Sequence, residues 1–198
     1  MLQQLDDTAY LTPDFINSLE VVSFSGKIHN IDSDNKLKNL EIGCSDILGF
    51  DTETRPSFKK NISNKISIIQ LSDENNAYIF YLKRLSNKDK IIQIFNNENI
   101  TKVGSGIKDD LRKIRESFGS SVEPKSFVDI QQMVKSFNLK KFNLRFLTAL
   151  FLNKRIIKSS QTSNWERYPL TEKQQIYAAT DAWICLKIYK EIKKVFPD

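Results

Sequence analysis

Apolar and polar positions along the chain change rhythm once, and that change predicts the architecture. Ile47 to Phe50 is an apolar run that ends in Asp51, Thr52 and Glu53. Ile66 to Leu71 and Ala77 to Leu82 are β-branched or aromatic runs parted by Asp73-Glu74-Asn75-Asn76. Short runs of this kind, bounded by turn residues, read as strands, and with the Ile47–Thr54 strand they predict an antiparallel meander. The rhythm then becomes an alternation of helix and strand. Helix is predicted over 88–95, strand over 100–103, helix over 107–118, and a short strand over 127–129 leading into a helix over 130–137. An apolar helix follows over 144–152. Arg155 to Leu170 is a mixed loop, and the longest helix starts at Thr171, where Gln174 completes a capping box, and runs to about Val195.

Before the meander, Thr12-Pro13-Asp14 has the signature of a helix start: a cap, a proline at the first helical position and an acid at the positive dipole end. A strand over 26–31 and a helix over 33–40 come next. The fold class is α/β, a mixed central sheet flanked by helices. A division into an N-terminal helical extension (1–22) and one main domain (23–198) follows.

Composition narrows the classes. A chain of 198 residues, 40% hydrophobic and 27% charged, suits one globular domain with a proper core. No apolar run reaches the ~20 residues that span a bilayer, so no membrane partner is expected. Met1 to Tyr10 is polar and acidic, unlike a signal peptide. Cys44 and Cys185 stand far apart without metal-ligand spacing and read as reduced thiols of a cytoplasmic protein. His29 is the only histidine, which leaves a His-based zinc site or a Ser-His triad little to build on. The net charge of +6 leans mildly toward polyanionic partners.

Candidate chemistry lies in three places. Asp51 and Glu53 are two apart on a strand, so both project to one face, while Phe50 and Thr52 point away. Adjacent carboxylates repel, and a hard divalent cation would relieve them; a strand running out into a polar turn has the same letters. Tyr177 and Asp181 are four apart on the last helix, above an apolar stripe that continues through Ile184 and Ile188. That acid is either one member of a larger site or a capped carboxylate beside a core tyrosine. Val103-Gly104-Ser105-Gly106-Ile107 leads from strand to helix but lacks the third glycine of a dinucleotide fingerprint. On that helix the apolar direction lies about 70° from Asp110 and about 170° from Asp109. Asp110 is therefore the better candidate ligand and Asp109 the solvent-facing dipole partner, unless both merely stabilise the helix start.

Taken together, Gly49-Phe50-Asp51-Thr52-Glu53-Thr54, Gly104-Ser105-Gly106-Ile107-Lys108-Asp109-Asp110 and Tyr177-Ala178-Ala179-Thr180-Asp181-Ala182 resemble, in order and spacing, the three exonuclease motifs of the DEDD superfamily. The chain looks most like the exonuclease domain of the Werner-syndrome helicase and its stand-alone bacterial relatives, with Ser163-Asn164-Trp165 and Leu170-Thr171 adding to the likeness. Ribonuclease D and the proofreading domain of DNA polymerase I are more distant. The resemblance covers roughly Gly26 to Ile192. Tyr177 four residues before the last acid, with Ile176 where a histidine would stand, places the chain in the tyrosine branch, DEDDy.

What the resemblance implies is a ribonuclease H-like fold. It also implies a 3′-5′ exonuclease that releases nucleoside 5′-monophosphates from 3′ ends of DNA, RNA or both. Two ions, Mg²⁺ or Mn²⁺, and no organic cofactor are expected. One ion would be held by Asp51, Glu53 and Asp181, the other by Asp51 with Asp110 acting through water, and Tyr177 would position or deprotonate the attacking water. Lys59, Lys60, Arg155 and Lys158 are candidate phosphate contacts, although each also reads as an ordinary surface cation. Trp165 would either stack on a base or plug a core edge. Leu48, Phe50 and Trp183 read as packing. Two other readings share the motifs: a nucleic-acid-binding module without catalysis, and a phosphodiesterase limited to very short oligonucleotides. No oligomeric state follows from the sequence.

Overall fold

The structure is a computed structural model that describes residues 8–42, 45–57, 64–135, 137, 139, 141–157 and 160–196. Lys59, Lys60, Lys158 and Cys44 lie outside the described residues. Helix α1 is Pro13–Ser18, and Thr12 Oγ1 accepts from Phe15 N at 3.2 Å as its cap. Strand β1 (Lys27–Ile31) and helix α2 (Asp34–Lys38) follow, then β2 (Ile47–Thr54), β3 (Ile66–Ser72) and β4 (Asn76–Tyr81). Helix α3 (Asp89–Asn96), β5 (Thr101–Gly104), α4 (Lys108–Phe118), β6 (Phe127–Asp129), α5 (Ile130–Met133), α6 (Leu144–Leu152) and α7 (Glu172–Val195) complete the chain.

The strands form one sheet in the order β1-β4-β3-β2-β5-β6. β2, β3 and β4 pair antiparallel, as the meander predicted, whereas β5 and β6 run parallel to β2. β1 joins the far edge parallel to β4, a pairing that the sequence pattern did not specify. Every residue of β3 is buried, because both faces of the sheet are covered. On one face Phe50, Ile69, Leu71 and Phe80 pack with Ile91 and Phe95 of α3 and with Ile107 and Ile114 at α4. The rings of Phe95 and Phe127 meet that of Phe50 edge-on, at 6.0 and 5.1 Å.

The long helix α7 crosses the other face over β2, β3, β4 and β5. Its start is held by the predicted capping box: Thr171 Oγ1 accepts from Gln174 N, and Gln174 Oε1 accepts from Thr171 N. The N-terminal segment is tied to this side. Leu11 and Ile16 are buried among Leu147, Phe151 and Ile188, and Val21 bridges to Arg155. Helix α5 is shorter than the pattern predicted; after Met133 the chain goes on in tight turns, Lys135 N donating to Gln132 O and Phe137 N to Val134 O. No helix among the described residues is long and apolar enough to cross a membrane.

Candidate active site

The pairing of β2 with β5 ends at Gly49↔Val103, so the last five residues of β2 run on with that edge open. Chain order reverses here: β3 and β4 lie to one side of β2, and β5 and β6 to the other. Such a switch point, at the carboxyl ends of parallel strands, leaves a crevice. Asp51 and Glu53 project from β2 into it, on the face that α7 covers.

Gly49 sets how closely α7 approaches. A Cβ at Gly49 would lie 1.9 Å from Ala182 O, so only glycine lets the helix backbone rest on β2 at this point. Asp181 precedes that contact by one residue and is thereby lowered onto the strand. Carboxylate oxygens of Asp51, Glu53 and Asp181 lie within 4.8 Å of one another. Tyr177 sits one turn earlier on α7, at the same cleft. Its ring is 5.8 Å from that of Trp165.

Asp110 arrives from the other face. Thr52 points away from Asp51 and Glu53, as strand alternation required, and that is the side on which α4 packs. The Thr52 hydroxyl donates to Asp110 Oδ1. Asp110 is thus anchored at the end of β2, outside the tight group of three carboxylates but close enough for its charge to act on Asp51 and Glu53. Asp109 turns outward and is 61% exposed, paired with Arg112 at 2.6 Å and Lys113 at 3.2 Å. The helical phase separates the two acids in the predicted sense. The glycines before α4 serve packing. A Cβ at Gly104 would meet Ile107 Cγ2 at 2.4 Å, and Gly106 adopts φ +72° with its N–H on Asp129 Oδ1 at 2.9 Å.

Burial and mutual repulsion dominate the electrostatics. Burial first, then the charges of Glu53, Asp181 and Asp110, hold the Asp51 carboxyl well above the usual range. Burial, with Asp181 and Asp110, pushes Glu53 up to about 9, against a lowering pull from Lys113. Asp110 is raised by burial although Thr52 and Lys113 oppose the shift. The Tyr177 hydroxyl is raised by burial and by Asp181, Glu53 and Asp51, so the phenol stays protonated. Acids in this state take protons or a cation to relieve their repulsion. Converging carboxylate oxygens are hard ligands, so the donor set fits a divalent metal ion.

The cleft above the acids measures about 260 Å³ and is lined also by Ser105, Gln131, Asn143 and Gln161. Sequence reasoning singled out none of these four for the site. Gln131 Nε2 donates to Ser105 Oγ at 3.1 Å, linking α5 to the loop before α4 at the opening. Asn143 carries a readable signal, but for another role: its Oδ1 caps α6 through Phe146 N at 3.0 Å.

Two of the candidate nucleic-acid contacts, Arg155 and Trp165, are engaged within the protein. Arg155 is turned to the N-terminal segment, its Nε donating to Leu19 O at 2.8 Å. Trp165 is 1% exposed among Ile68, Ile79, Tyr81, Leu170 and Ala178, and so has no open face for a base. Of its two readings, core plug and stacking platform, the structure shows the first, because Trp165 and Leu170 pack down against Ala178 of α7.

Comparison with known proteins follows the same lines. A family model described as 3′-5′ exonuclease matches residues 28–197. The chain is 32% identical over 160 residues to the bifunctional 3′-5′ exonuclease/ATP-dependent helicase WRN of Mus musculus, which covers 78% of this chain and 11% of that protein. It is 31% identical over 157 residues to a 3′-5′ exonuclease of Arabidopsis thaliana, covering 76% of this chain and 54% of the relative. The chain thus spans between about a tenth and about half of these relatives. In fold it is similar to the EXO domain of Aedes aegypti Nibbler, with TM-score 0.77 and 24% identity over 88% of this chain and 92% of the other. Escherichia coli RNase D superposes with TM-score 0.72 and 22% identity over 85% and 46%. These likenesses mark the sheet and its helices as ribonuclease H-like, and with the family match over nearly the whole chain they establish that this protein belongs to the 3′-5′ exonuclease family of the DEDD superfamily.

Proposed function

We propose that this domain is a 3′-5′ exonuclease of the tyrosine branch that hydrolyses phosphodiester bonds from the 3′ end of DNA, RNA or both and releases nucleoside 5′-monophosphates. The observation that carries the reading is the convergence of Asp51, Glu53 and Asp181 within 4.8 Å in an open cleft, with Tyr177 one turn away. Asp51, Glu53 and Asp181 would hold one divalent ion, and Asp51 with Asp110 a second. Such ions, Mg²⁺ or Mn²⁺, supply Lewis acidity toward the scissile phosphate.

The chain's own groups do the rest. Thr52 fixes the Asp110 carboxylate at the end of β2, with one oxygen committed to the threonine hydroxyl. Tyr177 lines the cleft beside Asp181 and would position or deprotonate the attacking water. Trp165 packs beside the Tyr177 ring. Lys59, Lys60 and Lys158 are our candidate phosphate contacts, positioning the strand without reading its sequence. The buried free thiol of Cys185 is in keeping with a reducing, cytoplasmic setting.

The test is a 5′-labelled strand, in matched DNA and RNA, single-stranded and as a recessed 3′ end, with Mg²⁺ or Mn²⁺. A ladder of products each one nucleotide shorter, lost in Asp51→Ala, is expected. Binding without any shortening would identify a module that has lost catalysis. Cleavage confined to oligomers of about 2–5 nucleotides, with the chemistry otherwise unchanged, would identify an oligonucleotide phosphodiesterase.

A further inference from the structure

One buried polar side chain beside the acids has no part in the mechanism above. Gln70, in the middle of β3, is 0% exposed, and neither its Oε1 nor its Nε2 has a hydrogen-bond partner among the described residues. A buried amide left unpaired loses its hydration and gains nothing in return. Its same-face neighbours, Ile68 on β3 and Ile79 on β4, show that apolar side chains fit this layer. An amide kept there for packing alone would be a net loss.

The register shows what the amide faces. Gln70 stands directly opposite Asp51 in the antiparallel β2–β3 pair, and Ile68 opposite Glu53. Directly opposed residues share a face of the sheet. Gln70 therefore lies on the α7 side, next to the first carboxylate of the cluster. Its other cross-strand neighbour, Ile79, is apolar. The buried stretch of α7 contributes the apolar Ala178, Ala179 and Ala182 here, with Thr180, Cys185 and Asp181 of the carboxylate cluster as its polar members. Asp51 is the polar side chain that the sheet places beside Gln70.

We propose that Gln70 is a positioning residue for Asp51, its side-chain N–H donating to the Asp51 oxygen turned away from a bound cation, so that the other oxygen is held toward Glu53 and Asp181. This inference rests on the metal-binding reading of the cluster. It has a general physical basis, since groups hydrogen-bonded to metal-ligating carboxylates fix the orientation of those ligands.

Two readouts of opposite sign test it, in wild type, Gln70→Met, Asp51→Asn and, as a packing control, Ile68→Met. Methionine keeps the length of glutamine and removes the amide. The metal-free Gln70→Met protein is expected to melt higher, by roughly 2–4 °C, because an unsatisfied buried group is gone. Its Mn²⁺ affinity, followed by the EPR signal of the free ion, is expected to fall about 10- to 100-fold. Ile68→Met should bind Mn²⁺ as wild type does. Gln70→Met binding Mn²⁺ within about twofold of wild type overturns the proposal, as does a lower melting temperature of the metal-free variant. Wild type binding Mn²⁺ no better than Asp51→Asn would instead sink the metal-binding reading, and this proposal with it.

Discussion

Gly49→Ala tests whether the approach of helix to strand makes the site. The new Cβ would lie 1.9 Å from Ala182 O and 2.7 Å from Ala182 C, both backbone atoms of α7. Real Cβ contacts stay beyond 3.0 Å, so α7 has to retreat by at least about 1.1 Å. No side-chain rotation relieves such a clash, since the obstacle is main chain. Overpacking of this kind costs about 1–3 kcal/mol. At roughly 2–4 °C per kcal/mol for a chain of this size, the melting temperature should fall by about 2–12 °C. The larger effect belongs to catalysis. Asp181 moves with Ala182, and a misplacement of about 1 Å costs on the order of 100-fold in rate. The assay is nucleotide release from a labelled strand at saturating Mn²⁺, with the melting temperature measured in parallel. Gly119→Ala is the control, because nothing lies within 4 Å of its Cβ but its φ is +63°. Strain there should lower stability by about 1–3 kcal/mol and leave kcat alone. Gly49→Ala with kcat within about threefold of wild type would refute the idea that this contact sets the spacing of the acids.

Three further outcomes follow from the same geometry. Asp110→Asn should lower kcat by about 100-fold or more, whereas Asp109→Asn, which loses only exposed ion pairs, should stay within about threefold; the reverse order would show the acids misassigned. For Glu53, the folded carboxyl titrates at about 9 against an ordinary 4.5, so the folded protein holds a proton that the unfolded chain gives up. Its stabilising effect is complete below 4.5 and is lost as pH rises toward 9, so the metal-free melting temperature should decline across that window and decline less in Glu53→Gln. Equal slopes in the two proteins would contradict the shift. Trp165→Ala should cost about 3–5 kcal/mol by opening a cavity behind Tyr177, and Trp165→Phe should recover most of the melting temperature and rate; an unchanged melting temperature in the alanine variant would contradict its burial.

Those parts of the site that depend on periodicity within one element are legible along the chain. Asp51 and Glu53 share a face because strand side chains alternate, and Asp109 and Asp110 part company because a helix turns by 100° per residue. Tyr177 and Asp181 stack because they are one turn apart. None of these rules says which elements become neighbours. The parallel pairing of β1 with β4 has no mark in either segment. Arg155 reads as a free cation in the chain and proves to be tied to Leu19, 136 residues away.

Thr52 is the clearest case of both the strength and the limit of such reasoning. Alternation along β2 turns Thr52 away from Asp51 and Glu53, and the structure agrees. From that, Thr52 would drop out of the site. Yet α4 packs on the face it points to, and its hydroxyl reaches Asp110 there. The acids therefore approach β2 from both sides of the sheet: Asp181 from α7 above Gly49, and Asp110 from α4 by way of Thr52. Both become possible because β2 runs past the end of β5, which leaves its edge open for carboxylates from either face. The site is thus a property of where one strand outlasts its neighbour, and a pattern read along single elements cannot contain it.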